Sequence, residues 1–189
     1  MYTLIILCCY LIGSIPFSVW ICSLAKLKDP REYGSNNPGS TNVFRQSKPL
    51  SVIVLACDAL KGWLPMMLVM HFHNDAFWLL PSCAAALVTG HCYSIFLSGK
   101  GGKGVATALG CMLAAASSMV VYLTLAWGAI LILSRFKVWL ASLATAALSV
   151  ACCVISICYY NHTFSAEVPV VLILTAMILW RHKGDINRL

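Results

Sequence analysis

The sequence predicts an all-α integral membrane protein, on three observations. Of its 189 residues 60% are hydrophobic and only 10% charged, where a soluble domain carries roughly a quarter charged residues. The mean hydropathy is +0.84. Long apolar stretches alternate with short polar segments, and each stretch approaches the ~20 residues a helix needs to cross ~30 Å of hydrocarbon. This composition excludes a disordered chain, a collagen-like repeat and an ordinary water-soluble globule. The expected organisation is one bundle, with residues 1–189 forming a single domain.

Tyr2–Ala25 is the first expected span, kinked at Gly13-Ser14-Ile15-Pro16 because proline removes a backbone donor. Met1-Tyr2-Thr3 lacks the basic region and cleavage site of a signal peptide, so this stretch is expected to be retained. Lys26–Pro49 is too polar and too rich in Gly and Asn to span, and long loops of this kind are often functional. Leu50–Met70 is the second span, with Asp58 and Lys61 inside it, and Ala76–Leu97 is the third. Val138–Cys158 is a clear span, and Val168–Trp180 is a short one expected to begin near Phe164.

Between these lies Gly104–Ser134, whose 31 charge-free residues are long for one span and short for two. The excess of Lys and Arg on the cytoplasmic side discriminates. One crossing sets Lys26, Lys28, Arg31, Arg45, Lys48, Lys100 and Lys103 against Arg135, Lys137, Arg181, Lys183 and Arg188. Two crossings, turning near Ala116-Ser117-Ser118, put all of these on one side and leave only Lys61 within a span. Seven transmembrane helices are therefore expected, with the N-terminus outside and the C-terminus cytoplasmic. The same topology explains the net charge of +7, and with no nucleic-acid motif beside it no nucleic-acid partner is expected. The ten cysteines sit in or beside apolar stretches without a C-x-x-C pair, and are expected to pack as small hydrophobes.

Three polar islands carry the chemistry, all on the cytoplasmic face of this topology. The first, Gly34-Ser35-Asn36-Asn37-Pro38-Gly39-Ser40-Thr41-Asn42, sets small polar side chains among glycines. Such a segment lets backbone N–H groups approach an anion, and Arg45 adds a bidentate fork. The second joins Gly90-His91 to Lys100-Gly101-Gly102-Lys103-Gly104-Val105-Ala106-Thr107 at the start of a helix, where anions are favoured. It is not a Walker A loop, since Gly104 follows Lys103 where Ser or Thr is required. The third is the tail Arg181-His182-Lys183-Gly184-Asp185-Ile186-Asn187-Arg188-Leu189, in which His182 can do acid–base work near neutral pH. A smaller phosphorylated group than a nucleoside triphosphate still fits the glycine- and lysine-rich second segment. No G-x-S-x-G elbow is visible, and His162…Glu167 is only the nearest match to the His-x4-Asp box of coenzyme A-dependent acyltransferases. Asp58 and Lys61, spaced i,i+3, share a helix face and are expected to pair and support the site.

Together these segments resemble the bacterial acyl-phosphate:glycerol-3-phosphate acyltransferases over essentially the whole chain. The resemblance rests on Gly13-Ser14-Ile15-Pro16, Gly34–Asn42 with Arg45, and Asp58-x-x-Lys61-Gly62. It continues through Gly90-His91, Lys100–Thr107, Gly110 and Arg181-His182…Ile186-x-Arg188-Leu189. It implies a seven-span bacterial inner-membrane enzyme working at the cytoplasmic face. The reaction would move an acyl chain from acyl phosphate to glycerol 3-phosphate, giving lysophosphatidic acid and inorganic phosphate, the first step of phospholipid synthesis. An enzyme that makes acyl phosphate would act upstream. Membrane lipids would surround the acyl chain, and no metal or cofactor is expected. On this resemblance Ser35, Lys103 and His182 are the expected catalytic residues. Asn37, Gly39, Thr41, Asn42, Arg45, His91, Lys100, Gly101, Gly102, Gly104, Arg181 and Asp185 are expected to bind substrate. The base is either His182 or, as proposed for the family, a phosphate oxygen of the acyl donor. Four positions depart from the family pattern: Asn36 for Gly, Ser94 for Pro, Gly99 for an aromatic residue and Asp185 for Asn. The alternative reading is a small transporter of an organic phosphate, which broken spans and intramembrane charge also suit.

Overall fold

The computed structural model describes residues 1–73, 77–115, 117–135, 137–160 and 167–183, and among these all regular structure is helical. In chain order the helices are α1 (Tyr2–Ser14), α2 (Phe17–Leu24), α3 (Ser40–Phe44), α4 (Lys48–Phe72) and α5 (Leu79–Cys92). A 3-10 turn, Ile95–Leu97, leads on to α6 (Val105–Ala115), α7 (Ser117–Leu133), α8 (Val138–Tyr160) and α9 (Glu167–Arg181). The first span is broken where Pro16 predicts, between α1 and α2. Within the 104–134 stretch the described residues are helical as α6 and α7, and the expected turn near residue 116 lies outside them. The expected start of the last span near Phe164, and the 184–189 tail with Asp185, lie outside the described residues.

Three segments, Tyr2–Leu24, Lys48–Phe72 and Leu79–Leu97, are long and apolar enough to cross a membrane. Val105–Ala115, Val120–Leu133 and Trp139–Ile155 are apolar but shorter. Outward-facing side chains are as apolar as the core: Leu64, Leu68, Leu125 and Ile132 are all exposed. That pattern suits a lipid solvent and would be a liability in water.

In lipid, helices associate through close packing rather than hydrophobic burial, and small residues let backbones approach. Two crossings are built this way. A Cβ on Gly13 of α1 would fall on the Leu87 backbone of α5, and one on Gly90 of α5 on the Tyr10 carbonyl of α1. Likewise a Cβ on Gly62 of α4 would meet the Thr107 carbonyl of α6, and one on Gly110 the Ala59 carbonyl. The core between these pairs contains Met66, Cys83, Leu87, Cys111 and Leu174, with the thiols packed as small hydrophobes.

The polar 26–49 loop differs from its expectation as irregular chain by containing α3. Five residues, only Asn42 and Val43 of them buried, leave no readable periodicity, so this turn of helix was invisible to pattern. α4 is then capped by Ser47, whose Oγ accepts from the Leu50 N–H at 3.5 Å, and carries a proline in its first turn.

Candidate active site

The break in the first span leaves backbone carbonyls needing donors, and the site is organised around them. Ser94 Oγ, after α5, donates to Ser14 O at 2.6 Å. Lys61 Nζ, from α4, donates to Ile15 O at 2.9 Å. Lys61 also pairs with Asp58 at 2.8 Å, with both side chains 4% exposed, so neither charge is left alone in apolar surroundings. Asp58 Oδ1 lies 3.7 Å from His91 Nδ1, which is 3.2 Å from Thr107 Oγ1. At the other side of the ring, a Cβ on Gly102 would overlap His91 Nε2, so only glycine fits there. The Gly101 and Gly102 N–H groups donate to Cys92 O and His91 O, each at 3.1 Å, seating the glycine segment on the end of α5.

The first island is tied to the same place by Ser18 Oγ, which donates to Pro38 O at 2.8 Å. Asn42 holds the loop together. Its Nδ2 donates to Pro30 O and Tyr33 O, each at 2.7 Å, and its Oδ1 accepts from the Ser35 N–H at 3.2 Å. Gly34, at φ +61°, has Asn42 Oδ1 and the Arg45 guanidinium where a Cβ would stand. Arg45 thus lies against Gly34, itself exposed, as are Ser35 and Thr41. Asn37 Oδ1 is buried and has no partner among the described residues, while the Asn37 main-chain oxygen accepts from Gly39 N–H at 2.8 Å. At the loop entrance, Asp29 is gripped by Arg31 at 2.7 Å, and these hydrogen bonds hold its carboxyl below the usual carboxylate range.

The third island reaches in from α9. Arg181 Nη2 donates to Gly102 O at 2.9 Å and approaches Gly101 O at 3.4 Å, while its guanidinium lies 4.9 Å from the centre of the Tyr93 ring. Its Nε is buried without an acceptor among the described residues. His182 is 1% exposed, and its Nδ1 is 2.9 Å from Ile178 O. A carbonyl only accepts, so Nδ1 carries a proton in this contact. Lys100 is exposed, Lys103 half-buried, and Gly104, at φ +83°, is buried against Val88 and Cys92 where α6 begins.

A small cavity collects these parts: Pro38 of the first island and Gly102 of the second line it, together with Asp58, Lys61, His91 and Ser94. Arg181 joins it through Gly102. The first two islands therefore meet at the broken first span and the third joins them through Arg181; of the expected site residues His91 and Gly102 line the cavity, whereas Ser35, Arg45, Lys100 and Lys103 do not. Sequence reasoning missed Ser18 and Tyr93 and read Ser14 only as part of the kink motif, because their partners are defined only by the fold.

The glycerol-3-phosphate acyltransferase family model matches residues 3–189. The chain belongs to the glycerol-3-phosphate acyltransferase family. A glycerol-3-phosphate acyltransferase of Ehrlichia canis is 35% identical over 188 residues, covering 100% of this chain and 94% of its own length. One from Methylobacillus flagellatus is 37% identical, covering 97% of this chain and 91% of that protein. Among solved structures, PlsY (YgiH), an integral membrane glycerol 3-phosphate acyltransferase, matches in its glycerol 3-phosphate form. The TM-score is 0.85 at 33% identity, over 99% of this chain and 90% of that one. Its lysophosphatidic acid form matches with a TM-score of 0.81. The chain is thus a helical membrane protein of this acyltransferase family. Two of its departures from the family pattern have a structural basis. Asn36 sits at φ +55°, where glycine is the default and asparagine is the best-tolerated substitute. Ser94 keeps φ −61°, the value a proline ring imposes, and adds the hydroxyl that reaches Ser14 O.

Proposed function

We propose that this protein transfers an acyl chain from acyl phosphate to glycerol 3-phosphate, giving lysophosphatidic acid and inorganic phosphate. The observation that carries this reading is that two phosphate-suited segments line one cavity and the third is hydrogen-bonded to it through Gly102, in a chain alike over its whole length to acyltransferases of that name. The glycerol hydroxyl attacks the acyl carbonyl, the new ester C–O bond forms, and the bond from the carbonyl carbon to phosphate oxygen breaks. Phosphate leaves with the electron pair. Both substrates are anionic, so Arg45, Lys100, Lys103 and Arg181 align them and offset their charge. Ser35, Asn37, Gly39, Thr41 and the Gly101–Gly104 backbone supply polar contacts, while Asn42 acts through the loop it braces. The hydroxyl proton goes to a phosphate oxygen of the donor. That assignment is favoured because His182 is buried with one nitrogen committed to its own helix.

The same reading gives one domain of seven spans in the bacterial inner membrane, N-terminus outside, with the site on the cytoplasmic face. The cations, which fall on one side when 104–134 crosses twice, support it. An upstream enzyme would supply acyl phosphate. Purified protein given palmitoyl phosphate and glycerol 3-phosphate should release inorganic phosphate and form lysophosphatidic acid. Absence of both, in protein that is folded, refutes the reading, and a transporter would behave in that way.

Asp185 gives a second test. An ionised carboxylate cannot donate to a phosphate oxygen and repels it, so Asp185 is proposed to brace a cation or tune His182 rather than touch substrate. Asp185→Asn should keep most activity, with a lowered KM for glycerol 3-phosphate, in steady-state kinetics from about pH 6 to about pH 9. A loss of about a hundredfold in folded protein would make the carboxylate itself essential.

A further inference from the structure

The buried Asp58–Lys61 pair takes no part in the reaction as written, yet each member has a second contact, and these contacts lead in opposite directions. Lys61 Nζ reaches outward to Ile15 O, 2.9 Å away, at the break in the first span. Asp58 Oδ1 reaches the other way to His91 Nδ1 at 3.7 Å, and the same ring nitrogen lies 3.2 Å from Thr107 Oγ1 at the start of α6. His91 Nε2 faces Gly102 so closely that no side chain fits between them. Asp58, Lys61, His91 and Thr107 are all buried. A pair kept only for mutual charge compensation has no need of Ile15 or His91. This one is a continuous polar link from the broken span, through α4 and the end of α5, to the glycine segment.

We propose that Lys61 is a positioning residue: through Asp58 and His91 it holds Gly102, and with it the Lys100–Lys103 segment, in register with the broken first span. The proposal rests on the phosphate-binding part assigned above to the glycine segment. A loosened segment binds the anion less well, so the defect belongs in KM for glycerol 3-phosphate more than in kcat. The ion pair itself complicates single substitutions, because removing one partner strands the other charge. The informative variant is therefore Asp58→Asn with Lys61→Met, which removes both charges together.

That double variant, purified in detergent and assayed with palmitoyl phosphate, should melt within a few degrees of wild type while KM for glycerol 3-phosphate rises about tenfold. A folded double variant with wild-type KM, whatever its kcat, overturns the proposal. Should the double variant fail to fold, Thr107→Val decides instead, since it removes one hydroxyl and no charge. It is expected to raise KM about threefold at unchanged melting temperature, and an unchanged KM overturns the proposal. Failure of the underlying reading has a different signature, because Lys103→Ala would then leave activity intact whatever Lys61 does.

Discussion

Lys103→Ala is expected to lower kcat/KM by about a hundredfold or more while the protein still purifies and melts as wild type. Lys103 stands half-buried in the glycine segment, two residues from the Gly101 carbonyl that Arg181 approaches and next to Gly102, which lines the cavity. A charge-assisted contact to a phosphate contributes about 1.5–3 kcal/mol, or roughly one to two decades in rate. The larger figure applies if the ammonium meets charge that grows in the transition state, as it does on a phosphate leaving group. The split of the effect is informative. A raised KM alone would place Lys103 on ground-state glycerol 3-phosphate, whereas a fall in kcat would place it on the departing phosphate. Activity within about twofold of wild type would reduce Lys103 to an orientation signal and remove the chemical reading of the second island.

Gly110→Val is expected to abolish folded protein, with loss of the monodisperse species in detergent and of all activity. A Cβ at Gly110 would overlap the Ala59 carbonyl, and backbone cannot swing aside as a flexible side chain can. Overpacking against side chains already costs about 1–3 kcal/mol, and here α4 and α6 must separate instead. Separation would also pull Gly62 away from the Thr107 carbonyl. Gly128→Ala in α7 is the matched control, since among the described residues nothing lies within 4 Å of a Cβ there. It should fold and turn over normally. Wild-type melting and activity for Gly110→Val would show that α4 and α6 do not cross as described.

Much of this protein was legible without coordinates, and the reasons are local. Helical class follows from composition, because a chain this apolar must satisfy its backbone hydrogen bonds within itself. The break at Pro16 follows from a missing N–H. Gly13, Gly62, Gly90 and Gly110 stood out as motif positions, although not as the contact points of two helix crossings. The three polar islands were recognisable from residue type and spacing alone.

What the sequence could not specify is which group answers which. Ser94 reaches Ser14 and Arg181 reaches Gly101 across 80 positions, and Lys61 reaches Ile15 across 46. Nothing in a period of 3.6 residues encodes such partners. Asn42 read as one more polar loop residue, but its three hydrogen bonds make it the brace of that loop. Asp58 and Lys61 read as a pair from their i,i+3 spacing. Only the tertiary structure shows the pair extended to a freed carbonyl on one side and to His91 on the other. Local propensity and the membrane decide where helices lie, because those terms act over a few residues. The site forms where a broken helix leaves carbonyls unsatisfied, and the donors that satisfy them come from whichever segments the packing brings near.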